Sequence, residues 1–187
     1  MLPTNRRIRL KAATDSLHRR IDGQISRGSA FASLSGYRDY LSRTLTARRE
    51  VEDLLDRSQA QRIYTAWPRR RITDVLTQDL EDLGAPEIKA QQPAHPPLSE
   101  GGVFGALYVL EGASIGARLI ARKVERLGAH GRLGARHLVA QTSEPDAFRK
   151  FLELLEAAEM QRDQEAECLS AAVFAFECFD RSYAGLA

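Results

Sequence analysis

The sequence predicts an all-α domain, on three observations. Apolar residues recur at three- and four-residue intervals along most of the 187 positions, no segment alternates apolar and polar like a strand, and start and stop residues cut the pattern into six to eight helices. A chain of this length supports one packed domain, taken as residues 1–187.

The first helix is expected from about Asn5 to Ser26, where Leu10, Leu17, Ile21 and Ile25 share a face, with Arg27-Gly28-Ser29 as the break. Ser35 or a neighbour caps a second helix carrying Leu41, Leu45, Val51, Leu54 and Leu55. Trp67-Pro68 opens a third, proline being well placed in a first turn, and it carries Ile72, Val75, Leu76, Leu80 and Leu83 to a stop at Gly84. Residues 85–98 hold four prolines and read as the main irregular loop. A long apolar helix follows, roughly Ser99 to Leu127, and Gly128, Gly131 and Gly134 mark the next connection. Ser143-Glu144-Pro145 is expected to start another helix, and the last, about Asp163 to Tyr183, presents Leu169, Val173, Phe174, Phe176 and Phe179.

Composition excludes several classes. A net charge of +2 with both signs interspersed gives no electrostatic footprint for nucleic acid. Arg69-Arg70-Arg71 and the cluster Arg118, Arg122, Lys123, Arg126 read as solvated faces, with an acidic partner as the alternative use. The most apolar stretch is interrupted by Glu111 and Arg118, so no membrane span is expected. The N-terminus has no apolar signal region, and Cys168 and Cys178 read as reduced core thiols. Both point to the cytoplasm.

Two features carry chemistry. On the long helix Gly105, Gly112 and Gly116 fall on one stripe, Gly112 about 20° to one side of Gly105 and Gly116 about 20° to the other at 100° per residue. Each glycine costs about 1 kcal/mol against alanine inside a helix. Such a stripe offers a bare backbone wall against which a flat or bulky group can lie. On the first helix, His18 lies at the edge of the apolar face, with Lys11 two turns earlier and Thr14 and Asp22 four residues to either side. One face thus offers a cation, an imidazole and a carboxylate able to orient it. A structural, hydrogen-bonded His18 is the alternative; zinc is disfavoured because no second ligand stands at a chelating spacing. His95, His130 and His137 sit in or near loop signals and read as solvated. Together, an imidazole on one helix and a glycine wall on another suit a planar metal macrocycle held between them.

These residues resemble the haem oxygenase family. Leu10-Lys11-x-x-Thr14-x-x-x-His18-x-x-x-Asp22 is similar to that family's proximal-helix pattern. Tyr108-Val-Leu-Glu-Gly112-Ala-Ser-Ile-Gly116-Ala117 is similar to the glycine-rich distal helix of its bacterial members, and Phe174-Ala-Phe-Glu-Cys-Phe179 to its aromatic last helix. The resemblance implies haem, as substrate and cofactor, cleaved to biliverdin, carbon monoxide and ferrous iron. It implies His18 as iron ligand, Asp22 at its second nitrogen, Lys11 for a propionate, and Thr14, Tyr108, Gly112, Gly116 and Phe174 around the ring. Gly112, Gly116 and Ser114 would serve bound O2 and its water network. Arg118 and Arg149 are further propionate candidates. No nicotinamide or flavin fingerprint is present, so an external reductase, ferredoxin or flavodoxin is implied, and a bilin-accepting photoreceptor as a further partner. The chain departs from the pattern at Ala113, where many members carry Asp, and at Ala117, where many carry Gly. Ala113 keeps open a haem carrier or sensor without ring opening. A haem-free helical enzyme of the thiaminase-like kind is a third reading, disfavoured by the Lys11–His18 spacing.

Overall fold

The computed structural model describes residues 5–27, 30–85 and 95–186. The expected break at Gly28-Ser29 and most of the proline loop, residues 86–94, lie outside the described residues. Within them the chain is helical, apart from isolated bridges from His130 to Leu133 and Gly134.

Helix α1 (Arg6–Arg27) starts where the Asn5 side chain accepts the Ile8 N–H at 3.1 Å. Helix α2 (Leu34–Arg57) is capped by Ser33, whose hydroxyl accepts from Gly36 N–H, two residues before the expected Ser35. A 3-10 turn at Ala60–Arg62 leads to a four-residue helix α3 (Trp67–Arg70). The third helix expected from the sequence is therefore two, because α4 (Thr73–Asp82) starts afresh after an extended Arg71. The cause is tertiary. The fully buried Glu52 carboxylate accepts the Ile72 N–H at 3.1 Å and the Thr73 N–H at 3.3 Å, donors that an unbroken helix would give to its own carbonyls.

Helix α5 (Glu100–Glu125) starts at the expected place, capped by Ser99, whose hydroxyl accepts the Gly102 N–H. Helix α6 (Arg136–Thr142) is not visible in the periodicity. Asp79 starts it by accepting the N–H groups of Arg136 at 2.8 Å and His137 at 2.9 Å. Ser143 belongs to its end, its hydroxyl donating back to the Ala140 carbonyl, so the helix expected to open there instead begins later as α7 (Ala147–Ala157). Helix α8 (Arg162–Tyr183) opens with a reciprocal Gln161–Gln164 capping box.

α8 is the central post, packing along α5 and against α1 and α2. Two glycines set its closeness to α5. A Cβ at Gly101 would overlap the Gln164 carbonyl, and one at Gly105 the Cys168 carbonyl and the Ala172 amide. α5 is, among the described residues, the one helix long and apolar enough to cross a bilayer, with a mean hydropathy of 1.4 over its best window. Half of that window is buried inside the protein. Its apolarity is that of a core helix. Cys168 and Cys178 are free and buried in the same core, and burial pushes both thiols up to about 12.

Candidate functional site

α1 stands on one flank of α8, and its outer face carries the histidine. The His18 side chain is 60 % exposed, and its Nδ1 lies 3.0 Å from Asp22 Oδ2. With Nδ1 donating to that carboxylate, the Nε2 lone pair is turned outward, the arrangement of an oriented metal-binding imidazole. The Phe176 ring of α8 packs against His18 edge to face at 5.8 Å between centroids. Lys11 is exposed on the same helix. Thr14 is not on that surface. It is buried, and its hydroxyl donates to the Leu10 carbonyl at 2.8 Å.

Helix α5 also packs along α8, and its glycines divide. Gly105, expected on the open wall, is a packing glycine against α8. At Gly112 a Cβ would rest 3.7 Å from the Phe148 ring, an ordinary contact, and at Gly116 it would meet nothing within 4 Å. Ile115 and Leu119 flank Gly116 and are 65 % and 63 % exposed, large apolar side chains without protein cover. Gly112, Ile115, Gly116 and Leu119 recur at three- and four-residue steps, so they form one apolar, partly side-chain-free stripe. Tyr108, one turn before Gly112, packs on Phe148 at 6.0 Å. Burial raises its pKa, with Arg7 opposing. Ser114 donates its hydroxyl to the Glu111 carbonyl at 2.7 Å, a bond within its own helix.

Phe174 is turned away from His18. Its ring meets His95 at 4.7 Å between centroids, and His95 in turn reaches Glu50 at 3.1 Å. On a helix, positions two apart point about 200° from each other, so only one of Phe174 and Phe176 can face α1, and it is Phe176. Two expected solvated groups are also interior. Arg70 is buried and bidentate on Glu111 at 2.8 and 3.0 Å. His137 is 1 % exposed, its Nδ1 2.8 Å from Asp79 Oδ2. Arg149 is held by Asp146 and Glu153 on its own helix.

The fit to a planar iron macrocycle rests on these features. One outward imidazole nitrogen, an aromatic ring beside it, and an exposed stripe of two glycines and two aliphatic side chains suit such a group. Among the described residues no three His, Cys, Asp or Glu side chains converge as a metal cage. A cavity of about 260 Å³ between Asp56, Gln59, Trp67 and Arg71 is lined by none of these residues. Ile115 and Leu119 were legible as helical neighbours of Gly112 and Gly116. The partners Phe148, Asp79 and Glu52 come from other elements and left no local signal.

The family model described as Heme oxygenase matches residues 5–184. The heme oxygenase PigA of Pseudomonas aeruginosa is 26 % identical over 173 residues, covering 91 % of this chain and 87 % of that protein. A heme oxygenase of Xanthomonas campestris pv. campestris is 33 % identical over 118 residues, 63 % of this chain and 70 % of its own length. Among solved structures, the NO- and CO-bound heme oxygenase of Neisseria meningitidis superposes with a TM-score of 0.85 at 26 % identity, covering 100 % of this chain and 92 % of the other.

Proposed function

The chain belongs to the haem oxygenase family, a family of haem-opening enzymes, and we propose that it cleaves haem to biliverdin, carbon monoxide and ferrous iron, with His18 as the residue that would hold the iron. The observation that carries this is the His18–Asp22 pair. The carboxylate occupies Nδ1 at 3.0 Å and leaves Nε2 outward on an exposed helix face. Haem, as both substrate and cofactor, supplies the iron at which O2 is activated.

The chain's own residues bind, orient and exclude water. Phe176 supports the imidazole edge-on. Gly112 and Gly116 would admit the ring close to the α5 backbone, because side chains there would project into the seat. Ile115 and Leu119 supply apolar cover, which haem would bury. Lys11 is assigned to a propionate, with Tyr108 near the rim and Arg118 as an additional cation. Ser114 is spent within its own helix, its hydroxyl donating to the Glu111 carbonyl between the two glycines. Thr14, bonded to Leu10, holds the α1 backbone under the ligand, and Phe174 packs the far side of α8.

An external reductase, ferredoxin or flavodoxin supplies the electrons, its acidic face docking on Arg122 and Arg126. Release of biliverdin to a bilin-accepting photoreceptor is carried by the family resemblance alone. A single domain and a cytoplasmic setting complete the proposal. The second reading, a haem carrier or sensor, is favoured by Ala113 together with a Ser114 hydroxyl already engaged by Glu111. Titration of the purified chain with hemin, then ascorbate or a ferredoxin–reductase pair under air, separates them. One-to-one binding with a histidine-ligated Soret band that decays into biliverdin absorbance is expected. A stable complex under both reductants would establish the carrier, and no binding would refute the haem seat.

A further inference from the structure

The cavity between the end of α2 and the short helix α3 shares no residue with the haem seat. It measures about 260 Å³, and its walls include Asp56, Gln59, Gln61, Trp67, Pro68 and Arg71. Pockets for drug-sized ligands run from about 300 to about 1,000 Å³, so this one suits a smaller molecule.

Its two charges stand side by side in fixed positions. The indole N–H of Trp67, a residue 2 % exposed, donates to Asp56 Oδ1 at 2.7 Å. The other oxygen, Oδ2, lies 3.3 Å from Arg71 Nε, and the buried Glu52 carboxylate lies 3.9 Å from the same atom. Neither contact is aligned as a hydrogen bond, so Arg71 Nε is buried without a partner among the described residues. Glu52 is already taken up by the Ile72 and Thr73 amides. A guanidinium edge matches a carboxylate through two parallel N–H bonds, and Arg71 commits none of its donors to an aligned bond among the described residues. Both charged side chains can be reached from solvent, Arg71 being 36 % and Asp56 37 % exposed.

The backbone at the rim is strained. Gln59, just past the end of α2, holds φ 54° and ψ 40°, and it is the one non-glycine residue at positive φ among those described. Glycine is the ordinary occupant of that position at a helix end, because a Cβ is disfavoured there. Such strain collects where a side chain is used, and Gln59 lines the cavity.

We propose that this cavity is a binding site for a free α-amino acid. The carboxylate of the ligand pairs with Arg71 and accepts from the Gln59 carboxamide, its ammonium donates to Asp56 Oδ2, and its side chain lies along Pro68. A zwitterion is selected because the wall sets one cation beside one carboxylate. A simple anion there faces Asp56 with nothing to offset it, and a simple cation faces Arg71 in the same way.

Trp67 is the chain's single tryptophan, so its emission and its indole N–H cross-peak report on this cavity. The haem-free chain is titrated with each of the protein amino acids in turn, and with acetate, methylamine and phosphate at matched ionic strength. A saturable change in both signals is expected with at least one amino acid and with none of the three control ions. Arg71→Gln and Asp56→Asn, the second keeping an acceptor for the Trp67 indole, are each expected to weaken that binding at least about tenfold, as loss of a charge-assisted bond requires. Gln59→Gly is expected to raise the Tm by relieving the left-handed turn and to weaken binding about threefold. Silence with every amino acid overturns the proposal. So does an equal response to acetate or phosphate, which makes the cavity an anion site, and so does binding that survives both charge variants.

Discussion

The two halves of α5 use one residue type for opposite ends. In the first half, Gly101 and Gly105 bring two backbones together, and a single added carbon would strike the carbonyls of Gln164 and Cys168. In the second half, a Cβ at Gly116 would meet nothing within 4 Å, between Ile115 and Leu119 that stand 65 % and 63 % exposed. The first pair of glycines gives up helix propensity for packing. The last gives it up with no compensation inside the protein. Destabilisation without an internal return is what a binding surface requires, because the ligand supplies the missing contacts.

The sharpest way to break this contrast is to place the same alanine in both halves. Gly105→Ala gains about 1 kcal/mol of propensity but forces α5 and α8 apart. Overpacking penalties run to about 3 kcal/mol or more, so a net loss of about 2 kcal/mol is expected. At about 2–4 °C per kcal/mol for a chain of this size, calorimetry should show the haem-free Tm falling by about 4–8 °C. An unchanged Tm would mean α5 does not sit on α8 as described.

Gly116→Leu comes next. It leaves the fold intact but fills the open side of the stripe, and hemin affinity is expected to drop at least tenfold, about 1.4 kcal/mol, in an optical titration. Wild-type affinity would assign the glycine to helix bending alone. Gly116→Ala should move haem-free stability the opposite way to Gly105→Ala, raising Tm by about 2–4 °C through the roughly 1 kcal/mol of recovered propensity. A fall would show hidden packing at that position. The smallest stability effect belongs to His18→Ala. Exposed substitutions stay within about 0.5 kcal/mol, so the haem-free Tm holds while the haem complex loses its axial-histidine spectrum. Retention of that spectrum would place the ligand elsewhere.

Much of this site was legible before any coordinates. His18 and Asp22 lie four apart on a helix whose apolar face is plain from Leu10, Leu17 and Ile21, and the structure keeps that spacing as a 3.0 Å contact. Gly112, Ile115, Gly116 and Leu119 follow from the same periodicity. The misplaced residues are instructive for the same reason. Thr14 shares the His18 interval pattern yet bonds to Leu10, and Phe174 sits two residues from Phe176 yet faces His95. In each case local spacing left more than one direction open, and the neighbouring element chose.

What the sequence determined by itself is what depends on contacts within one helix: the all-α class, the caps at Ser99 and near Ser33, the long apolar α5, and the imidazole–carboxylate pair on α1. Hydrophobic period and i, i+4 spacing are properties of a single segment, so they can be read without knowing what lies beside it. Only the tertiary structure decided which glycines pack and which stay open. It also broke the third expected helix at Arg71 through Glu52, and sank His137 beside Asp79, 58 residues away in the chain. Those outcomes depend on where α2, α4, α6 and α8 cross their neighbours. A crossing is set by the mutual fit of two surfaces, which neither segment's own pattern encodes.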